Sequence, residues 1–177
     1  YVRASEEDTP FSRPVASGQG WTTVDTYAGE TPQYKWTNYY YEKGTISGKH
    51  VAYCDGQMFS DADGAGPREE ILLTPELDLD DTYQLSFDWQ TSQMAFSAKT
   101  LYDLQVRIVT NDDIANAETI FSIQNPEDLK ESGVTNFVGW QTQSSKLDLS
   151  EWKGQKVKIA FVYKMLTTNS NSVSLDN

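Results

Sequence analysis

Apolar and polar side chains alternate along several stretches of this chain, most strictly in 83–89, 104–109, 157–163 and 172–176. Strict alternation places one set of side chains against a core and the other towards solvent, which is typical of a half-buried β-strand. Further strands are predicted at 22–25, 49–54, 70–73, 119–123 and 142–147, and one helical turn at 126–133. The pattern therefore predicts an all-β protein.

Two Leu-Asp-Leu segments, 77–79 and 147–149, each lead into a strongly alternating strand. The repetition of this segment before a strand predicts an antiparallel two-sheet jelly-roll β-sandwich. Only every second strand residue of a sandwich must be apolar, so an apolar fraction of 38% is sufficient, and 5 Trp, 10 Tyr and 7 Phe can fill the space between the sheets. We expect one domain over 1–177, with 1–10 as an N-terminal extension, cut from a longer exported protein.

The charge and the cysteine content exclude several classes of function. The chain carries 26 acidic and 14 basic residues, a net charge of −12. A protein that binds nucleic acid through phosphates needs a basic surface, and anionic membranes are disfavoured for the same reason. No apolar run is long enough to insert into a membrane. Cys54 is the only cysteine, which excludes an intrachain disulfide and a zinc site built from several thiolates.

Some of the carboxylates are candidate calcium ligands. Asp61 and Asp63 precede Gly64 in a predicted loop, a spacing that can place oxygen atoms on one side of a tight bend. Asp25 ends the first confident strand and Asp176 ends the last, and these two carboxylates could share an ion if the terminal strands lie near each other. The alternative is that the acidic residues serve only solubility.

The aromatic side chains of Trp36, Tyr39, Tyr40 and Tyr41 lie in a segment, 27–48, that is predicted to be a long loop around short strands. Sugar-binding sites need flat aromatic faces, with amides and carboxylates nearby to hold the hydroxyl groups. These four residues are therefore candidate glycan ligands. The alternative is that their rings cap the end of the core, since Trp and Tyr pack well with one polar edge in water.

No catalytic motif is present. Glu69 and Glu70 are adjacent, so on a strand they point to opposite faces and cannot form an acid/base pair. His50 is the only histidine, and no nucleophile-elbow motif accompanies it. Asp88 and Glu70 are the only carboxylates worth examining as a glycosidase couple.

The order of certain segments resembles a known family. Gly20-Trp21-Thr22, the 72–79 and 85–88 segments, the 149–161 segment and the terminal Val-Ser-Leu-Asp-Asn of 173–177 together resemble the cleaved-adhesin or choice-of-anchor-J type of domain. This is a galactose-binding or MAM-like jelly roll of exported Bacteroidetes proteins. The resemblance covers roughly 11–177. It implies a secreted or outer-membrane-associated module, and a structural calcium near the first and last strands, where Asp25 and Asp176 fall.

The leading hypothesis is a non-catalytic surface module that binds carbohydrate or mediates adhesion, with a structural calcium and no other cofactor. Its expected partner is an extracellular glycan or a surface protein. Two alternatives stay open: a glycoside hydrolase or its accessory domain, and a structural spacer without a ligand.

Overall fold

The computed structural model describes residues 20–25, 36–41, 49–54, 68–91, 102–134, 141–166 and 172–176. These residues form eleven strands, one short α-helix and one turn of 3-10 helix. The strands are β1 (Thr22–Asp25), β2 (Thr37–Tyr41), β3 (Lys49–Cys54), β4 (Arg68–Leu73), β5 (Leu77–Asp78), β6 (Gln84–Thr91), β7 (Tyr102–Val109), β8 (Glu118–Ser122), β9 (Gln143–Asp148), β10 (Lys156–Met165) and β11 (Val173–Asp176). The helix α1 spans Pro126–Glu131, and the 3-10 turn spans Ser150–Trp152.

The strands form two antiparallel sheets. The six-stranded sheet has the order β1-β4-β10-β7-β8, with β5 paired to the start of β10. The five-stranded sheet has the order β2-β3-β11-β6-β9. Both sheets contribute side chains to one buried cluster, so the molecule is the predicted all-β sandwich.

The core between the sheets is built from aromatic rings at alternate strand positions. Phe87 of β6 meets Phe121 of β8 and Phe161 of β10 edge to face, at ring centroid distances of 5.5 and 5.4 Å. Trp89, two residues after Phe87, meets Phe121 at 6.2 Å. These edge-to-face contacts add to the burial of apolar surface, which explains how a chain of modest apolar content fills its interior.

A second apolar cluster lies on the outer face of the six-stranded sheet. Its buried members are Ile71, Leu73, Val109, Ala160 and Val162. Val24 and two residues of the 110–117 turn, Ile114 and Ala117, pack against it. The middle of this sheet is thus apolar on both faces, which accounts for the nearly unbroken apolar run 159–163.

The predicted strands are confirmed with small shifts in their ends, and the helical turn is confirmed as α1. One expectation about local structure is wrong. Residues 37–41, predicted as loop, form β2, which pairs with β3 from Thr37 opposite Tyr53 to Tyr41 opposite Lys49. The predicted N-terminal extension, 1–10, lies outside the described residues, so the domain boundaries stay a prediction. No helix in the described ranges is long and apolar enough to cross a membrane.

Candidate ligand-binding face

The outer face of the five-stranded sheet collects polar and aromatic side chains. On each strand the core residues fix which neighbours point outwards, because successive side chains alternate. Val173 and Leu175 lie in the core, so Ser174 and Asp176 point away from it. By the same alternation the outward set also contains Thr37 and Tyr39 of β2, Val51 and Tyr53 of β3, Gln84, Ser86, Asp88 and Gln90 of β6, and Ser144, Lys146 and Asp148 of β9.

Two tyrosines form the aromatic part of this face. The rings of Tyr39 and Tyr53 stack with centroids 4.9 Å apart and planes 30° apart. Both side chains are half-buried. The Thr37 hydroxyl donates to the Tyr53 carbonyl at 3.3 Å and so ties β2 to β3 beside the ring pair. The result is a fixed aromatic surface with one side open to solvent.

Polar side chains continue the row that starts at Tyr53. The register places Ser174 opposite Tyr53 on one side and opposite Gln90 on the other. The pairing of β6 with β9 ends at Trp89 opposite Gln143; Gln90 follows Trp89 on β6, and Thr142 directly precedes β9. An aromatic ring, a hydroxyl and an amide therefore follow one another across the sheet, and the Thr142 hydroxyl lies beyond the last pair of β6 and β9.

Two oxygen atoms at the end of this row are buried without a hydrogen-bond partner. They are Oε1 of Gln90 and Oγ1 of Thr142, within the part of the chain that the structure describes. Gln90 is only 8% exposed. Buried polar atoms nearly always have partners, and an unpaired one costs about 1–3 kcal/mol. These two oxygens are the ones on this face that would gain most from a donor on a ligand.

A carboxylate pair lies one row away. Asp176 of β11 is opposite Asp88 of β6, which is in turn opposite Ser144 of β9. The Ser144 hydroxyl donates to Asp88 Oδ1. Like charges at directly opposite positions repel, and this hydrogen bond to Asp88 offsets part of that repulsion.

Trp36 is not part of the face, which corrects the sequence-based prediction. Its side chain is 1% exposed, and its indole N–H donates to the carbonyl of Glu70 at 2.9 Å. The ring bridges the two sheets in the core and offers no surface to a sugar. The alternative interpretation, that this ring packs at the end of the core, is the right one for Trp36. Tyr40 and Tyr41 lie on β2, not in a loop, and stay predictions as ligands.

Two of the predicted calcium ligands end strands of different sheets, and their sharing an ion stays a prediction. Asp25 ends β1, at the edge of the six-stranded sheet, and Asp176 ends β11, in the middle of the other sheet. Asp61 and Asp63 lie outside the described residues. Within the described ranges no group of three or more His, Cys, Asp or Glu residues could hold a metal ion. The donors described here do not make up a calcium site, which needs six to eight oxygens.

The two carboxylates of the predicted glycosidase couple point to different sides of the sandwich. Glu70 is 2% exposed and lies on the core side of β4, because its neighbours Glu69 and Ile71 point outwards. Asp88 points outwards from the other sheet. The two carboxylates face different surroundings and do not line one cleft. The backbone of His50 pairs with that of Tyr40.

The outer face of the six-stranded sheet is different, because its charges are paired with one another. Arg107 donates to both carboxylate oxygens of Glu69, at 2.7 and 2.9 Å, and also to Gln105 Oε1. Gln105 in turn donates to Asp103, as does the Ser122 hydroxyl. The hydrogen bonds from Arg107 lower the pKa of Glu69, while burial raises the pKa of Asp103.

Tyr53, Gln90 and Ser174 were not recognised as candidate ligands from the sequence. The alternation along 49–54 and 84–91 indicated which side chains share a face, but it could not show which strands are neighbours. Tyr53 and Gln90 share a row because β11, whose Ser174 lies opposite both, runs between β3 and β6. The sequence offered one usable signal for this face. The segment 37–41 is rich in Tyr, and aromatic and β-branched residues favour strands, so it could have been predicted as a strand.

Comparison with solved structures identifies the fold. The K1 cleaved adhesin domain of Lys-gingipain from Porphyromonas gingivalis W83 aligns with a TM-score of 0.57 and 17% identity, over 89% of this chain and 87% of that one. The protein has a cleaved-adhesin-like fold. The K3 cleaved adhesin domain of the same gingipain aligns with a TM-score of 0.50 and 17% identity, over 89% of each chain. No family model and no curated protein sequence matches this cleaved-adhesin-like chain.

Proposed function

We propose that this protein is a non-catalytic extracellular or cell-surface module that binds carbohydrate, and that the outer face of its five-stranded sheet holds the glycan. The observation that carries the proposal is the stacked pair Tyr39 and Tyr53 beside the unpaired oxygens of Gln90 and Thr142. The cleaved-adhesin-like fold supports an adhesive role but does not name a ligand.

The chemistry of the face suits a sugar. A pyranose ring has an apolar C–H face that packs on an aromatic ring, and hydroxyls around its rim. Tyr39 and Tyr53 supply the aromatic surface, and Gln90 and Thr142 supply acceptors for hydroxyl protons. Because these acceptors are unpaired in the free protein, a hydroxyl that reaches them adds a hydrogen bond without replacing an existing one.

A glycan array tests the proposal, followed by titration of the best hit. We expect saturable binding by the native protein, and at least a tenfold loss with Tyr53→Ala, since deleting one stacking ring removes about 1–3 kcal/mol in comparable aromatic platforms. Tyr39→Ala is expected to lose binding too, because Tyr39 supports the Tyr53 ring. Tyr83→Ala is the matched control. Tyr83 is 43% exposed and lies just before β6, where its hydroxyl donates to Asp80 rather than joining the face.

Four outcomes would count against this function. A blank array favours protein adhesion or a spacer role. Binding that survives both tyrosine substitutions places the glycan elsewhere. Equal losses with Tyr83→Ala and Tyr53→Ala would show that the face has no special role. Hydrolysis of a bound glycan would favour the glycosidase alternative.

We also propose that a structural calcium ion binds through Asp61 and Asp63. The motivation is their spacing before Gly64 and the acidic charge of the chain. Chelation should lower the melting temperature by several degrees, since an ion bound only by the folded state stabilises it by about 2.7 kcal/mol at 100 times its Kd. Asp61→Asn with Asp63→Asn should remove the response to chelation. An unchanged melting temperature in the native protein would contradict the proposal.

A further inference from the structure

The outer face of the five-stranded sheet carries more acidic than basic side chains. Of the outward residues whose side chains the structure describes, Asp88, Asp148 and Asp176 are carboxylates, and Lys146 is the cation. Lys146 lies opposite Ser86, one row further along the sheet than the pair formed by Asp88 and Asp176. A ligand of this face therefore meets mainly negative charge.

The carboxylate pair lies one row away from the residues proposed to hold the sugar. Asp88 is two residues before Gln90 on β6, and Asp176 is two residues after Ser174 on β11, so the two rows are about 6.8 Å apart along the strands. Ser174 is opposite Tyr53 on the neighbouring strand. A sugar stacked on the Tyr53 ring therefore reaches the carboxylates with a substituent on its rim or with the next sugar of its chain.

The polar atoms that this face offers to a ligand are hydrogen-bond acceptors. Gln90 Oε1 and Thr142 Oγ1 are buried without a partner, and Gln90 is only 8% exposed. A carboxylate accepts hydrogen bonds and donates none, and the Ser144 hydroxyl already directs its proton to Asp88. Such a site needs donors on the ligand. A protonated amine supplies three N–H donors and a positive charge, and its hydrogen bonds to carboxylates are stronger than those of a hydroxyl.

The surroundings of the two carboxylates favour a cation over a neutral donor. Asp88 and Asp176 are both half-buried, and partial exclusion of water strengthens the attraction between opposite charges. A cation between them also offsets the repulsion of like charges at opposite positions. The face of a tyrosine ring attracts cations as well, so Tyr53 acts in the same direction. A sugar that carries a carboxylate or a sulfate would add a third negative charge here.

We propose that the glycan bound by this face contains an amino sugar with a free, protonated amine, and that the ammonium group lies between Asp88 and Asp176. The inference rests on the proposed glycan function and narrows it to one class of sugar. The ring of the sugar stacks on Tyr53, and a hydroxyl donates to Gln90. Neutral sugars bind more weakly, through stacking and hydroxyl groups alone, and anionic sugars are rejected by like charge.

Four tetrasaccharides test the inference by calorimetric titration. Three share one β-1,4-linked glucose backbone and differ at C2, which carries a hydroxyl in cellotetraose, an amine in the glucosamine tetramer and an acetamide in the N-acetylglucosamine tetramer. Tetragalacturonate is the anionic probe. We expect the glucosamine tetramer to bind about five- to tenfold more tightly than the two neutral tetramers, as two partly exposed ion pairs would give, and tetragalacturonate not to bind. Salt should weaken the binding of the glucosamine tetramer alone.

Substitutions locate the amine. Asp88→Asn and Asp176→Asn should each lower the affinity for the glucosamine tetramer about two- to fivefold and leave that for cellotetraose unchanged. The double variant should bind the two tetramers alike. Glu127→Gln removes the same charge from an exposed position on α1 and should change neither affinity. Tyr53→Ala should weaken both tetramers, because both stack on that ring.

Three results overturn the inference. The first is no binding of the glucosamine tetramer, whichever other glycans bind. The second is equal affinity for the glucosamine tetramer and cellotetraose with both lost in Tyr53→Ala, in which case the proposed glycan function stands without a role for the carboxylates. The third is binding of the glucosamine tetramer that survives Tyr53→Ala and falls equally with Glu127→Gln and Asp88→Asn, which would indicate attraction by the overall charge. A failure of the glycan function itself looks different, because then neutral tetramers and the glycan array are blank as well.

Discussion

The two outer faces of the sandwich satisfy their polar groups in opposite ways. On the six-stranded sheet, Arg107 pairs with Glu69 through two hydrogen bonds, and the neighbouring apolar cluster is buried. On the five-stranded sheet, Gln90 and Thr142 keep unpaired oxygens, and two tyrosine rings are partly open to solvent. One face pairs its polar groups with one another, whereas the other leaves two buried acceptors unpaired, which is the basis of the proposed glycan site.

This difference follows from which residues the central strands of each sheet place on its outer face. β4 and β10 lie in the middle of their sheet and are apolar on both faces over 71–73 and 159–163, so the charges beside these segments must pair locally to be tolerated at low exposure. β11 and β6 alternate strictly, with small or polar residues outwards. Two of these outward residues are nevertheless buried, since Ser174 is 4% and Gln90 8% exposed.

The largest effect is expected from breaking the six-stranded face. Arg107→Met removes both hydrogen bonds to Glu69. Of the ion pairs described for Glu69, the one with Lys164 then remains, with Nζ 3.5 Å from Oε1. We expect the free energy of unfolding to fall by about 1–3 kcal/mol, the range for hydrogen bonds to charged groups. Urea unfolding measures it.

Arg107→Lys serves as the control for that substitution. It keeps the charge but cannot reproduce the two-pronged geometry, so an intermediate loss of stability is expected. Glycan binding should be unchanged in both variants. A loss of glycan affinity with stability intact would show that the two faces are not independent.

The opposite effect is expected on the five-stranded face. Gln90→Met keeps the length of the side chain but removes the unpaired buried oxygen, so the free energy of unfolding should rise by about 1 kcal/mol. The same change should weaken glycan binding. Thermal unfolding and glycan titration together measure this trade of stability against function.

Gln84→Met is the matched control, since Gln84 lies on the same strand and the same face but is exposed. We expect it to change neither property. If Gln90→Met destabilised the protein, the side-chain amide oxygen of Gln90 would have to be hydrogen-bonded in solution. The contrast between the two faces would then disappear.

Much of the fold could be predicted from the sequence because alternation is a local signal. The strands 83–89 and 157–163 show it directly, and the Leu-Asp-Leu entries indicated which strands begin beside a turn. β2 was missed because its tyrosines are surrounded by Gly, Pro and Asn, which favour loops. Its strand structure depends on pairing with β3.

The site was less predictable because it depends on contacts between distant parts of the chain. Trp36 belongs to the core because its N–H reaches the carbonyl of Glu70, 34 residues away. Gln90 and Tyr53 share a row because Ser174 of β11 lies opposite both of them. A single sequence indicates which residues of a strand share a face, but it does not show which strands lie side by side.

The smallest expected effect is a change in acid sensitivity, and it has opposite signs at two carboxylates of the six-stranded face. The hydrogen bonds from Arg107 hold the pKa of Glu69 below its ordinary value of 4.5. Its stabilisation is therefore complete above pH 4.5 and is lost as the pH falls through the lowered pKa. Glu69→Gln should flatten the decline of stability with acid, as followed by urea midpoints between pH 6 and 3.

Asp103 should respond in the other direction. Burial raises its pKa above the ordinary 3.8, so the folded protein binds this proton more tightly than the unfolded chain does, and acid favours folding at this site. Asp103→Asn should therefore steepen the acid decline. Parallel curves for the native protein and both variants would mean that these carboxylates do not differ between the folded and unfolded states. The network would then be an exposed surface feature, and the six-stranded face would lose its role in stabilising the sandwich.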